Sequence, residues 1–150
     1  MGEVARLVES LTPQDRQALA FLDMRVRARE PAEWTSEGAE PTYGVLNCLR
    51  FWEILIRRME DEWVRQDYYL ADEYLNVLTS RDRAEDFLEV MPAGLRAKTS
   101  RCIDRLDARF RDLTFEDRGA ELSKYWYPLA EGQEVRWWWT RRPIDLPPGW

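Results

Sequence analysis

Apolar positions recur at helical spacing from almost the first residue of the chain. Val4, Leu7, Val8 and Leu11 lie at i, i+3, i+4 and i+7, which predicts a short amphipathic helix. Thr12-Pro13-Gln14-Asp15 has the form of a helix start: Thr12 caps, Pro13 suits the first turn, and Asp15 favours the positive end of the dipole. Ala18, Leu19, Phe21, Leu22 and Val26 carry that second helix to about Arg29, where Glu30-Pro31 stops it. Residues 30–41 then read as the clearest loop, with four Glu, two Pro, one Gly and a single large anchor, Trp34.

The strongest pattern follows. Val45, Leu49, Trp52, Ile56, Met59 and Trp63 alternate spacings of four and three, the seam of a packed helix, with Glu53 and Glu60 flanking it. Carried past Trp63, that seam reaches Asp67, and an unpaired buried carboxylate is costly, so a break is expected there with Asp67 capping a new helix over Tyr68–Leu78. Thr79-Ser80-Arg81-Asp82 reads as another start, for a helix carrying Ala84, Phe87, Leu88 and Met91 that Met91-Pro92-Ala93-Gly94 ends. Leu95, Thr99, Cys102, Leu106, Phe110 and Leu113 mark a long helix. Thr114-Phe115-Glu116-Asp117 opens one more, through Leu122, Tyr125 and Trp126 as far as Tyr127-Pro128. The tail departs from this period: Val135–Thr140 is β-prone, and Pro143, Pro147 and Pro148 prevent a helix after it. The expected fold is all-α, a single domain in which about five to seven amphipathic helices over residues 1–127 form a compact bundle. A Trp/Pro-rich arm over 128–150, extended or folded as a short hairpin, lies across it.

Composition narrows the classes. At 150 residues with 45% hydrophobic content the chain is long enough to bury a core, and eight Trp, six Tyr and five Phe argue against disorder. No window reaches the roughly 18 apolar residues of a membrane span, and the amino terminus lacks the pattern of a signal peptide. Cys48 and Cys102 form neither a disulfide framework nor a metal knuckle and sit on apolar stripes, so a reduced, cytoplasmic setting is expected. His is absent, which removes the usual general base and the commonest metal ligand and rules out Ser-His-Asp and Cys-His catalysis.

Charge adds candidates. There are 28 Asp+Glu against 22 Lys+Arg, a formal net charge of −6. The excess concentrates in the 30–41 loop and in Glu53–Glu73, where Trp63, Tyr68, Tyr69 and Tyr74 are interleaved. Such a surface suits a binder of a basic protein, with carboxylates steering encounter and aromatics anchoring it. It equally suits a solvated helix face laced with local ion pairs. Lys98, Arg101, Arg105 and Arg109 flank the long helix and either contact phosphates or meet Glu53 and Glu60 across a helix interface; the negative balance disfavours nucleic acid. In Arg136-Trp137-Trp138-Trp139-Thr140-Arg141, the aromatics either form a binding patch or seal the core.

The leading expectation is a non-enzymatic protein-binding module, most concretely a neutralising partner such as an immunity protein, antitoxin or inhibitor. It calls for no cofactor, metal or membrane, and the partner is a protein with a basic surface. The expected contacts are Trp34, Glu37, Glu40, Glu60, Asp61 and Glu62, with Trp137, Trp138, Trp139 and Arg141 as a second patch. One alternative is a Mg²⁺-dependent all-α nucleotide hydrolase working through carboxylates such as Glu60, Asp61, Glu62, Asp72 and Glu73. The ExxE repeat of all-helical nucleotide pyrophosphohydrolases is absent from the Glu53–Glu73 stretch that supplies these carboxylates. A further alternative is a helical adaptor that self-associates.

Overall fold

The computed structural model describes residues 1–34, 40–64 and 68–150; the expectations for Glu37 and for Asp67 lie outside the described residues. The elements run α1 (Glu3–Ser10), α2 (Pro13–Arg27), α3 (Val45–Glu60), α4 (Ala71–Val90) and α5 (Ala93–Asp112). After them come strand β1 (Thr114–Glu116), the single-turn helix α6 (Tyr127–Ala130) and strand β2 (Arg141–Pro143). The fold is an all-α bundle with a C-terminal extension.

The seam read from Val45 to Met59 is the axis of the core. Val45, Leu49, Trp52, Ile56 and Met59 are all buried, and α3 packs against α1, α2, α4 and α5. Its flanking Glu53 meets a neighbouring helix end-on: the carboxylate accepts the Glu3 N–H at 2.6 Å, satisfying an otherwise free amide of the first turn of α1 at its positive end. The start of α3 is held in the same way by the end of α2. Asp23 accepts the Val45 N–H at 3.1 Å, and Glu30 accepts the Tyr43 N–H at 3.0 Å. These two bonds fix where the chain re-enters the bundle after the 30–41 loop.

The capping box at Thr12 forms as its sequence predicts. Thr12 Oγ1 accepts the Asp15 N–H at 3.1 Å, and Asp15 Oδ2 accepts the Thr12 N–H at 2.9 Å. Lys98 Nζ of α5 lies 2.6 Å from Asp15 Oδ2, tying the α1–α2 corner to the long helix.

Four local expectations give way to tertiary partners. Thr79–Asp82 does not start a helix, because α4 runs unbroken through it. The Thr79 and Ser80 hydroxyls donate back to the Leu75 and Asn76 carbonyls, while Arg81 and Asp82 turn to partners outside the helix. The start of α4 itself is Ala71, with Leu70 in the capping position. Thr114–Asp117 does not open a helix either. Thr114 Oγ1 donates to the Phe110 carbonyl at 2.8 Å, and β1 pairs antiparallel with β2 in the register Thr114↔Pro143, Phe115↔Arg142, Glu116↔Arg141. Asp117 instead closes a turn by accepting the Gly119 and Glu121 N–H groups. Tyr127-Pro128 begins α6 rather than ending a helix, since proline suits a first turn. Lastly, Trp137–Thr140 is a 3₁₀ turn, and the strand lies just beyond it at Arg141–Pro143.

That 3₁₀ turn sends three consecutive indoles to three places. Trp139 stacks on Trp126 at 4.1 Å between centroids, Trp138 lies beneath the Arg81 guanidinium at 4.1 Å, and Trp137 meets Phe110 edge-on at 6.1 Å. Asp82 clamps the turn to α4, accepting the Trp138 and Trp139 indole N–H groups at 3.0 and 2.9 Å. No helix among the described residues is long and apolar enough to cross a membrane.

Replacing Asp82 with Ala orphans two indole donors and is expected to cost about 2–4 kcal/mol, with Asp82→Asn intermediate. Urea denaturation followed by Trp emission checks both, the emission of the folded state shifting to the red as the turn loosens. A second outcome concerns acid. Hydrogen bonds from Lys98 and from the Thr12 backbone hold the Asp15 carboxyl down at about 2. Because that lies below the unfolded value of about 3.9, its contribution is complete above about pH 4 and fades as pH falls towards 2. The stability difference between the parent and Asp15→Asn should therefore shrink over that window, which acid titration of thermal midpoints reads directly.

Candidate functional site

The expected contact residues are not brought together. α3 is 16 residues long, about 24 Å at 1.5 Å per residue, and it separates them. Trp34 and Glu40 precede its start, while Glu60, Asp61 and Glu62 stand at its end. Trp137, Trp138, Trp139 and Arg141 belong to a third location on α4 and α5.

At this third location the side chains are committed to the fold. Trp138 and Trp139 are buried, and the half-buried Trp137 has the Arg111 guanidinium 3.9 Å above its ring. Arg141 donates to Thr114 Oγ1 and to the Thr114 carbonyl, both at 2.9 Å. Burial raises the Asp82 carboxyl above its ordinary value, against the pull of the Trp139 indole and Arg136. Beneath lies a network that the sequence reading missed. Arg81 of α4 is 3% exposed and grips Asp107 of α5 in a fork, Nε to Oδ1 at 3.1 Å and Nη2 to Oδ2 at 2.8 Å. The Trp52 indole donates to the same Asp107 Oδ1 at 3.0 Å, and Glu85 takes the remaining Arg81 edge at 2.8 Å. Position within a helical pattern was the available signal, since Asp107 sits one place from Leu106 on the core side of α5.

The cationic flank of α5 meets carboxylates, as one of its two readings had it, though with a wider set of partners. Arg109 makes a double contact with Glu60 at 2.7 Å in both arms, Arg105 reaches Glu3 at 3.2 Å and Lys98 reaches Asp15. Arg101 has no carboxylate partner among the described residues. Glu40, for its part, pairs with Arg50 at 2.6 Å. Both cysteines are buried, and burial pushes their thiols up to about 12, so neither carries a thiolate near neutrality.

Asp61 and Glu62 remain, at the point where the chain leaves α3. The chain leaves α3 through two successive residues in the left-handed region, Glu62 at φ 51° and Trp63 at φ 59°. Such backbone costs about 1–2 kcal/mol per non-glycine residue and persists only when its surroundings fix it. Here the Trp63 N–H bonds the Arg58 carbonyl at 2.9 Å, its indole donates to the Asp145 carbonyl at 2.9 Å, and its ring packs on Tyr69 at 5.0 Å. The Tyr69 N–H bonds the Pro148 carbonyl, and Gly149, at φ 95°, lies so close to the Tyr68 ring that a Cβ there would collide with it. The C-terminal arm is thereby pinned to the end of α3.

The segments pinned together here carry exposed carboxylates and exposed apolar side chains. Asp61, Glu62 and Asp145 have no cationic partner among the described residues. Val64 is 79% exposed and Tyr68 61%, with Ile144 and Leu146 also exposed on the arm. The sequence reading did not single out Val64, Ile144, Asp145 or Leu146. Val64 is legible in hindsight, because it falls one place off the seam that ends at Trp63; the arm residues are not, because only folding places them there. Among the described residues, no group of three Asp, Glu or Cys side chains is arranged to hold a metal ion. No family model, no curated protein and no solved structure matches this chain.

Proposed function

We propose that the chain is a protein-binding module, a neutralising partner of the inhibitor, antitoxin or immunity-protein kind, and that it engages a basic protein surface through the corner at the end of α3. The observation that carries this reading is the exposed Asp61 and Glu62, which have no cationic partner among the described residues, together with the exposed Val64 and Tyr68 close by in sequence. Elsewhere the acidic residues first suspected, Glu40 and Glu60, are already neutralised by Arg50 and Arg109. A net charge of −6 supplies long-range steering towards a cationic partner, and the apolar side chains supply the desolvated contact that steering alone does not. The two left-handed residues support the reading further. Glu62 and Val64 on either side of the buried Trp63 are exposed, and a contact surface whose backbone is fixed by such packing loses less freedom on association.

Expressed with a tag from its own locus, the protein should co-purify in fixed stoichiometry with the product of an adjacent reading frame. Asp61→Arg combined with Glu62→Arg should weaken that complex tenfold or more, ~1.4 kcal/mol, and slow its association, with circular dichroism and thermal midpoint unchanged. Recovery of the protein without a partner, or an undiminished complex in the charge-reversed variant, contradicts the reading.

A further inference from the structure

A second surface lies at the opposite end of α3 and is independent of the corner. α2 and α4 diverge there, leaving a cleft of about 660 Å³, within the range of small-molecule sites. Its walls are apolar: Leu22 and Val26 from α2 face Phe87 and Val90 from α4, and Val90 is 55% exposed. The Trp34 ring overhangs one edge, 6.4 Å from Tyr43 and tilted 57° to it, and more than half of Trp34 is exposed.

The polar groups around this cleft are uneven in a way that selects a ligand. Three guanidiniums border it. Arg83 lies over the Tyr43 ring at 4.0 Å, Arg25 stands in the last turn of α2, and Arg29 in the turn just beyond it. None of the three has a carboxylate partner among the described residues. Two acids also line the cleft. Asp86 receives Arg136 Nη2 at 2.6 Å. Glu30 accepts the Tyr43 N–H through Oε1, while its buried Oε2 has no hydrogen-bond partner among the described residues. In a chain whose overall charge is −6, the cleft is thus a local cationic site with an apolar floor and an aromatic edge. A solvated helix face does not account for it, since Leu22, Arg25 and Val26 of α2 and Arg29 of the turn after it line one concave wall. The overall charge of −6 disfavours a nucleic-acid partner.

We infer that this cleft binds a small organic anion with a flat or branched apolar body. The body rests on Val26, Phe87 and Val90 against the Trp34 ring, and the carboxylate, sulfonate or phosphate head lies at Arg25 and Arg29. Arginine suits this role because its planar fork meets two oxygens of such a head at once.

Anilinonaphthalene sulfonate has this chemistry and reports its own binding by fluorescence, while phenylnaphthylamine matches its body without the charge. The full-length protein should bind the sulfonate saturably at one site. Arg25→Gln with Arg29→Gln, both at exposed positions, should weaken the sulfonate at least tenfold and change the neutral analogue by less than about twofold, the difference a charged head contact makes. Val90→Glu, which sets a carboxylate on the apolar wall, should abolish sulfonate binding, with circular dichroism confirming that each variant is folded. Absence of saturable binding, sulfonate affinity unchanged in the double Gln variant, or equal losses for the two probes would each overturn the assignment. Asp61→Arg with Glu62→Arg should leave sulfonate binding unchanged, which separates this site from the protein-binding corner.

Discussion

The bundle depends on one buried ion pair. α4 packs mainly along α3 and touches α5 sparingly, so the Arg81–Asp107 fork is the chief tie between the fourth and fifth helices. Removing both charges from water is costly, by several kcal/mol per ion, and the attraction offsets this only when every remaining donor and acceptor is met. Here nearly all are. Asp107 accepts three bonds, two from Arg81 and one from Trp52, Glu85 takes the outer edge of the guanidinium, and Trp138 covers its face. The pair therefore fixes more than a helix contact. It seats the indole of the central helix on one side and the C-terminal 3₁₀ turn on the other, and Asp82, next in sequence to Arg81, clamps that turn through two further indoles.

From that tie the placement of both surfaces follows. With the 3₁₀ turn docked, the chain beyond it pairs with β1 and continues to the end of α3, where Trp63 and Tyr69 hold it by hydrogen bonds to the Asp145 and Pro148 carbonyls. The acidic corner is thus assembled from two segments more than 80 residues apart in sequence, Trp63 and Asp145 being 82 apart. At the other end, Asp23 of α2 accepts the Val45 N–H at the start of α3 and Glu30 accepts the Tyr43 N–H just before it, beside the apolar cleft between α2 and α4. α3 acts as a spacer between the corner proposed to meet a basic protein and the cleft proposed to take a small anion.

The helical architecture was legible because periodicity is local information. The seam from Val45 to Met59, the capping box at Thr12 and Asp15, and the long helix through Leu95 and Phe110 appear where spacing and caps place them. Local rules failed where a distant partner was stronger than a nearby cap. Thr79–Asp82 has the residues of a helix start, but Arg81 and Asp82 find partners on α5 and in the tail, and the helix continues. Thr114–Asp117 has them too, but a strand over a hundred residues from the amino terminus pairs with Thr114 instead. The candidate site was legible in part. Asp61 and Glu62 stood out by charge, whereas the commitment of Glu40 and Glu60 to arginines depends on helix orientations that charge patterning does not carry. The triple Trp left a patch and a core seal both open, because aromatics beside arginines have the same composition in a core as at an interface. Their burial against Asp82, Trp126 and Arg81 is a property of the fold alone.

A double-mutant cycle on Arg81 and Asp107 tests this account most directly, with Arg81→Met, Asp107→Leu and the combination measured by urea denaturation. Each single change leaves a buried charge without its counterpart and should cost about 3–5 kcal/mol. The double variant should cost much less than the sum, with a coupling of roughly 2 kcal/mol or more. Strict additivity, or single costs below about 1 kcal/mol, would show that the pair behaves as an exposed salt bridge and that something else holds the tail to the bundle.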